Sequence, residues 1–217
     1  VATGLALLVG VSRPIALPLA VVTAFALVLR GRRRGRDPLG PREAASALAA
    51  LVGCGVAGLT WPVLAWLGTG RLTAYTDTMG AWSAGGQVRW FVPWVWMAQW
   101  LFGGWGGWVL AGLVALLVGA MAGPWAGRLG PVLRAWSVAY PAYVMTAQGP
   151  GTSTPRYLLM MFPYLVVMIG VGWVRPRRPR LLPTYVRVVV LAAVFLVLQW
   201  KWISVLWLFT PPSDWAP

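Results

Sequence analysis

An all-α, polytopic transmembrane bundle is the fold class that this sequence predicts, and three observations carry the prediction. Hydrophobic residues make up 59% of the 217 residues, only 10% are charged, and the mean hydropathy is +0.71. Apolar runs of helical length recur along the whole chain. Short clusters of arginine separate those runs, which is typical of the loops between membrane spans. We therefore predict a single transmembrane domain over residues 1–217.

The apolar runs predict about six spanning helices. In chain order they are Leu5–Leu29, Ala44–Leu67, Trp108–Met121, Val132–Ala147, Tyr157–Val174 and Tyr185–Phe209. A seventh apolar segment, Phe91–Phe102, has about 12 residues and is too short to cross the roughly 30 Å hydrocarbon core. Its tryptophans favour the headgroup layer, so we predict an interfacial or re-entrant helix on the outer face.

The arginine clusters predict the orientation of these spans. Thirteen arginines fall in the loops that a six-span count places on one side, and three fall on the other: Arg71, Arg89 and Arg156. Basic residues concentrate in cytoplasmic loops, so the side with thirteen is predicted to be cytoplasmic. The expectation is a multi-pass protein of a bacterial plasma membrane, with both ends of this segment extracytoplasmic.

Composition also excludes several classes of function. The net charge of +14 lies almost entirely in those loops, so we predict no nucleic-acid partner. Histidine is absent and Cys54 is the single cysteine, which excludes Ser-His hydrolases and any His or thiolate-cluster metal site. No Walker loop or dinucleotide fingerprint is present, and we predict no cofactor.

The polar residues left on the predicted outer face suggest a ligand site. Arg156 and Tyr157 stand where a polar turn enters an apolar helix, and a guanidinium fork matches phosphate oxygens. An alternative is that Arg156 only snorkels to the membrane interface. Four further residues are candidate substrate contacts: Gln148, Arg13, Tyr75 and Arg89.

Two of the remaining polar residues have competing interpretations. Asp77 is a candidate general base for an acceptor hydroxyl, but in the segment YTDTMG it is also suited to capping a local turn. Lys201 is either a snorkelling residue or a substrate contact.

Three stretches give the chain a resemblance to a known family: Ser12-Arg13-Pro14, the segment Ala74–Trp82 and above all Pro155–Tyr164, PRYLLMMFPY. Together they resemble bacterial PIG-V-like mannosyltransferases of the GT-C class. The resemblance implies transfer of mannose from a polyprenyl-phosphate carrier on the extracytoplasmic side, with inversion at the anomeric carbon. It implies that Arg156 and Tyr157 lie at the lipid-phosphate-sugar site and that Arg13 faces the bundle interior.

The same resemblance places this chain in the C-terminal part of such an enzyme. The family's catalytic aspartate belongs to an earlier outer loop, so the expectation is that this portion alone is inactive. The partners implied are the polyprenyl-phosphate-sugar donor and membrane lipids. A non-enzymatic transporter or lipid-binding subunit, with Arg13 and Arg156 along a lipid pathway, is the alternative.

Overall fold

The fold is helical throughout the residues that the structure, a computed structural model, describes: 4–5, 7–8, 15–32, 40–81, 89–147, 149–151, 154–171 and 182–206. Within these ranges there is no strand. The α-helices are α1 (Ala16–Arg32), α2 (Pro41–Thr69), α3 (Ala74–Ala81), α4 (Val92–Phe102), α5 (Gly106–Ala122), α6 (Gly130–Ala147), α7 (Thr154–Leu158), α8 (Phe162–Met168) and α9 (Thr184–Leu206). Short 3-10 helices occupy Gly103–Trp105, Pro124–Leu129 and Leu159–Met161.

Three helical runs are long and apolar enough to cross a membrane: Pro41–Thr69, Val92–Ala122 and Thr184–Lys201. This supports the prediction of a helical membrane protein. The predicted spans Ala44–Leu67 and Tyr185–Phe209 correspond to α2 and α9, although residues 207–209 lie outside the described part of the chain. The count of six crossings stays a prediction.

Helices α1 and α2 form a hairpin, and α1 also packs along α6. The Arg30 guanidinium at the end of α1 pairs with the Glu43 carboxylate in the first turn of α2. Pro41 suits the first turn of α2 because its missing N–H would have no helical partner there. The ion pair therefore joins the two helices at the loop that carries the longest arginine cluster.

The apolar run from Val92 to Ala122 is not one straight helix. A Cβ on Gly106 would overlap with the backbone carbonyl of Ala98, eight residues earlier. In a straight helix those residues would be separated by about 12 Å, at 1.5 Å per residue. The chain therefore folds back between α4 and α5, and Gly103, at φ 59°, stands at the turn.

Arg134 joins α5 to α6. Its guanidinium, in the first turns of α6, donates hydrogen bonds to the backbone carbonyls of Met121 and Ala122 at the end of α5. The last carbonyls of a helix have no partners within the helix, so a basic side chain is well placed to satisfy them. We call this end of the bundle, defined by Arg30, Arg128 and Arg134, the arginine end.

The predicted span Tyr157–Val174 is not a single helix in the described residues. It consists of α7, a 3-10 helix, α8 and a turn in which Gly170 has φ 84°. Pro163 explains the break, because its ring clashes with the carbonyl of Leu159 and it cannot donate the hydrogen bond that would continue the helix. Residues 172–174 lie outside the description.

Prolines also determine how this broken segment attaches to α6. Pro141 lies inside α6 and leaves the carbonyl of Ser137 without its helical donor. The Tyr164 hydroxyl donates to that carbonyl at 2.8 Å, and the Trp136 indole N–H donates to the Met160 carbonyl at 3.0 Å. The Tyr164 hydroxyl thus replaces the backbone hydrogen bond that Pro141 removes, and the Trp136 indole adds a second link between α6 and the 3-10 helix.

The most buried cluster joins α5, the 3-10 helix Pro124–Leu129 and α8, and consists of Met121, Ala126, Tyr164 and Val167. In contrast, α9 is exposed along its apolar length and packs extensively against no other described helix. Most large apolar side chains elsewhere are also exposed, as expected for a surface that faces lipid.

Candidate functional site

Four segments converge at the end of the bundle opposite the arginine end. These are α3, the start of α4, the end of α6, and α7. The Tyr143 hydroxyl, in the last turns of α6, lies within electrostatic range of Tyr75 of α3 and Tyr157 of α7. Two of the predicted substrate contacts, Tyr75 and Tyr157, therefore lie at the same end of the bundle as Tyr143. We call this the tyrosine end, defined by Tyr75, Tyr143 and Tyr157.

The start of α4 is fixed to the same place by the backbone. The Phe91 N–H donates to the Met145 carbonyl at 3.1 Å. A Cβ on Gly149 would lie 3.6 Å from the Cβ of Pro93, so the chain after α6 passes over the first turn of α4. The tyrosine end is thus built from segments that are distant in sequence.

Phe91 has a strained backbone at this junction. Its φ is 61°, in the left-handed region that non-glycine residues rarely adopt, and among the described residues it is the one non-glycine with positive φ. Such strain costs about 1–3 kcal/mol and persists where surrounding contacts hold it. Here the hydrogen bond to Met145 and the start of α4 fix the conformation.

Arg156 and Tyr157 stand at the start of the broken helix, as predicted. The Arg156 guanidinium lies 5.4 Å from the centre of the Tyr157 ring, within cation–π range. Arg156 is exposed whereas Tyr157 is half-buried. The tyrosine therefore belongs to the packed part of the tyrosine end, and the guanidinium lies at its surface.

Arg89 makes a similar contact. Its guanidinium lies 5.5 Å from the centre of the Trp96 ring on α4, and both side chains are exposed. Two cationic groups at this end therefore lie over aromatic rings. Such an arrangement can bind an anion through the guanidinium while the rings contact an apolar or sugar face.

Asp77 has local partners. Its carboxylate accepts a hydrogen bond from the Arg71 guanidinium at 2.8 Å and from the Thr73 hydroxyl at 3.0 Å. The side chain is exposed in the first turn of α3, where a negative charge is favourable. These contacts support the local structural interpretation of Asp77 over the general-base interpretation.

Two predicted substrate contacts, Arg13 and Gln148, lie outside the described residues. Lys201 is exposed on α9. Tyr143 was not predicted as a site residue, although the spacing of Tyr140 and Tyr143 puts both on one face of α6 just before the polar turn. That spacing was the signal available in the sequence.

No protein-family model, curated protein or solved structure matches this chain. The resemblance to PIG-V-like mannosyltransferases therefore rests on the sequence motifs alone.

Proposed function

We propose that this chain is the membrane domain of an extracytoplasmic glycosyltransferase that moves mannose from a polyprenyl-phosphate carrier to an acceptor. The observation that carries the proposal is the Arg156 guanidinium, which lies 5.4 Å from the centre of the Tyr157 ring, at the same end of the bundle as Tyr75 and Tyr143. These groups come from three helices and combine a cation, hydroxyl donors and aromatic faces. That combination suits a phosphate joined to a sugar.

In the proposed reaction an acceptor hydroxyl oxygen bonds to the anomeric carbon while the bond from that carbon to the phosphate oxygen breaks. The polyprenyl phosphate leaves with the bonding electron pair, and a base takes the hydroxyl proton. Arg156 would stabilise the negative charge that grows on the leaving phosphate. Tyrosine hydroxyls can orient the sugar by hydrogen bonds, and their rings can pack on its apolar face.

The proposed topology has six crossings in a bacterial plasma membrane, with both ends of this segment and the tyrosine end extracytoplasmic. Helix α4 has 11 residues, about 16 Å at 1.5 Å per residue, which is short of the hydrocarbon core. It starts at the tyrosine end, and the chain folds back between α4 and α5. Both features favour an interfacial or re-entrant α4 over a crossing one.

One observation favours the alternative function, a non-enzymatic transporter or lipid-binding subunit. Within the described residues the carboxylates are Glu43 and Asp77, and each is paired with an arginine. A site that binds the carrier without a base would hold the lipid without transferring its sugar. The experiment must therefore measure binding and transfer separately.

The test uses the protein expressed from its full reading frame in membranes, with labelled polyprenyl phosphate mannose as donor. We expect Arg156→Ala to lower mannose transfer at least about tenfold, since a charge-assisted hydrogen bond contributes roughly 1.5–3 kcal/mol. Arg156→Lys should recover part of that loss. Arg42→Ala, an exposed arginine in the first turn of α2 at the opposite end, is the control.

Unchanged transfer in Arg156→Ala would refute the assigned role. Carrier binding that depends on Arg156 without measurable transfer by the unaltered protein would instead support the lipid-binding alternative. Tyr143→Phe provides a second test of the site. Loss of this one hydroxyl at the tyrosine end should weaken carrier binding and leave the fold intact.

A further inference from the structure

A groove of about 300 Å³ lies at the arginine end, on the opposite side of the bundle from the tyrosine end. Its walls are Phe25 and Leu29 from α1, Val118 from α5 and Val138 from α6, and its floor includes Met121. The wall residues Phe25, Val118 and Val138 are exposed whereas Met121 is buried. The groove is therefore an open apolar channel with a packed floor.

The groove has one polar wall residue, Arg134, and two further arginines lie near its lining residues along the chain. Arg32 ends α1 one turn beyond Leu29, and Arg128 lies in the 3-10 helix that follows α5; both are exposed. Glu43 is the described carboxylate at this end, and Arg30 pairs with it. The described part of this end of the bundle consequently carries a surplus of positive charge.

Arg134 also removes a local source of negative charge. The last carbonyls of α5 would present the negative end of a helix dipole to the groove, but the Arg134 guanidinium donates to two of them. An anion at the mouth is therefore not repelled by the end of α5. The apolar channel and its cationic mouth match the two halves of an anionic lipid.

We propose that this groove binds one acyl chain of an anionic phospholipid, with the phosphate held by Arg32 and Arg128. Basic pockets between transmembrane helices are a recurrent way of binding acidic headgroups. The volume is at the lower limit of small-molecule sites, roughly 300–1,000 Å³, and suits part of one chain rather than a whole lipid. This lipid would be separate from any carrier lipid at the tyrosine end, and the proposal does not depend on glycosyl transfer.

The test uses the full protein in nanodiscs of phosphatidylglycerol and phosphatidylcholine in equal amounts. Phosphatidylglycerol with a diazirine in its acyl chain is photo-crosslinked, and the labelled residues are mapped by mass spectrometry. Labelling should fall at Phe25, Val118 and Val138. The same probe with a phosphatidylcholine headgroup should label these positions about fivefold less, the ratio that one basic residue near an anionic surface confers.

Two pairs of variants separate the groove from general lipid contact. Val118→Phe fills the channel and should abolish labelling, whereas Val114→Phe, one turn earlier on α5 and similarly exposed, should not. Arg32→Gln with Arg128→Gln should remove the headgroup preference, whereas Arg42→Gln, an exposed arginine at the start of α2, should leave it unchanged.

Equal labelling by the two headgroups, labelling spread over helices away from the groove, or full labelling in Val118→Phe would each overturn the proposal. A partner helix seated in the groove would also overturn it, and would appear as a protein crosslink that excludes the lipid probe. Because no arm measures mannose transfer, failure here is distinguishable from failure of the proposed enzyme.

Discussion

The two ends of this bundle use arginine in different ways. At the arginine end, guanidinium groups are bound to the protein itself, since Arg134 donates to the last carbonyls of α5 and Arg30 pairs with Glu43. At the tyrosine end, Arg89 and Arg156 lie over aromatic rings at the surface. The arginines that join helices, Arg134 and Arg30, therefore lie at one end, whereas the two that contact aromatic rings lie at the other.

Among the tests of this comparison, Arg134→Met should have the largest effect on stability. It removes the donor for two backbone carbonyls and leaves the end of α5 uncapped, while keeping much of the side-chain volume. Hydrogen bonds that involve a charged group contribute roughly 1.5–3 kcal/mol each, so we expect the free energy of unfolding to fall by about 3 kcal/mol. Denaturation in detergent titrated with sodium dodecyl sulfate measures the change.

The matched control for Arg134 is Arg128→Gln, an exposed arginine in the neighbouring 3-10 helix, which should change stability by less than about 0.5 kcal/mol. Equal losses in the two variants would mean that Arg134 acts through its charge and not through the carbonyls of α5.

Packing rather than polar contact should determine stability where α5 begins. Gly106→Ala would force a Cβ into the Ala98 backbone, whereas a Cβ on the adjacent Gly107 meets nothing within 4 Å. Overpacking of this kind typically costs 1–3 kcal/mol, so we expect Gly106→Ala to destabilise by about 2 kcal/mol. Thermal melting followed by circular dichroism compares the two variants.

Gly107→Ala should be neutral or slightly stabilising, because alanine favours the helix. Equal melting temperatures for the two alanine variants would mean that α4 does not fold back against α5.

Tyr164 tests the contact that joins α6 to the broken segment between the two ends. Tyr164→Phe removes the hydroxyl that donates to the Ser137 carbonyl and should cost about 1 kcal/mol. Pro141→Ala supplies a backbone N–H for that same carbonyl, so Tyr164→Phe should cost much less in that background. A double-mutant cycle measures the coupling energy between the two substitutions. A coupling energy of zero would show that Pro141 is not the reason why the Ser137 carbonyl accepts the hydrogen bond from Tyr164.

The sequence predicted where the helices lie more accurately than where they are interrupted. The predicted spans Ala44–Leu67 and Tyr185–Phe209 were recognisable because each is a long apolar run with few charges. The break at Leu159–Met161 follows from Pro163, but a single proline in a membrane helix does not determine whether the helix kinks or separates into two pieces. The prediction of six crossings therefore depends on the distribution of arginines among the loops.

The candidate site was predictable only in part, because local sequence patterns identify its residues but not how they pack. Tyr75 and Tyr157 stood out as aromatic residues in polar segments next to apolar helices. Their placement at the same end of the bundle as Tyr143 depends on how α3, α6 and α7 pack, and no local pattern encodes that packing. Arg13 and Gln148 lie outside the described residues, so their assignment stays a prediction.

The smallest expected effect belongs to Asp77, and it tests whether the tyrosine end contains a catalytic base. Asp77→Asn breaks an exposed ion pair with Arg71, and such pairs contribute little, so stability should change by less than about 0.5 kcal/mol. If Asp77 is only a local partner of Arg71 and Thr73, mannose transfer should stay within about twofold. Arg71→Gln is the matched control, because it removes the same pair but keeps the carboxylate. A loss of transfer of roughly a hundredfold or more in Asp77→Asn alone would identify the carboxylate as the base, since general-base catalysis contributes effects of that size.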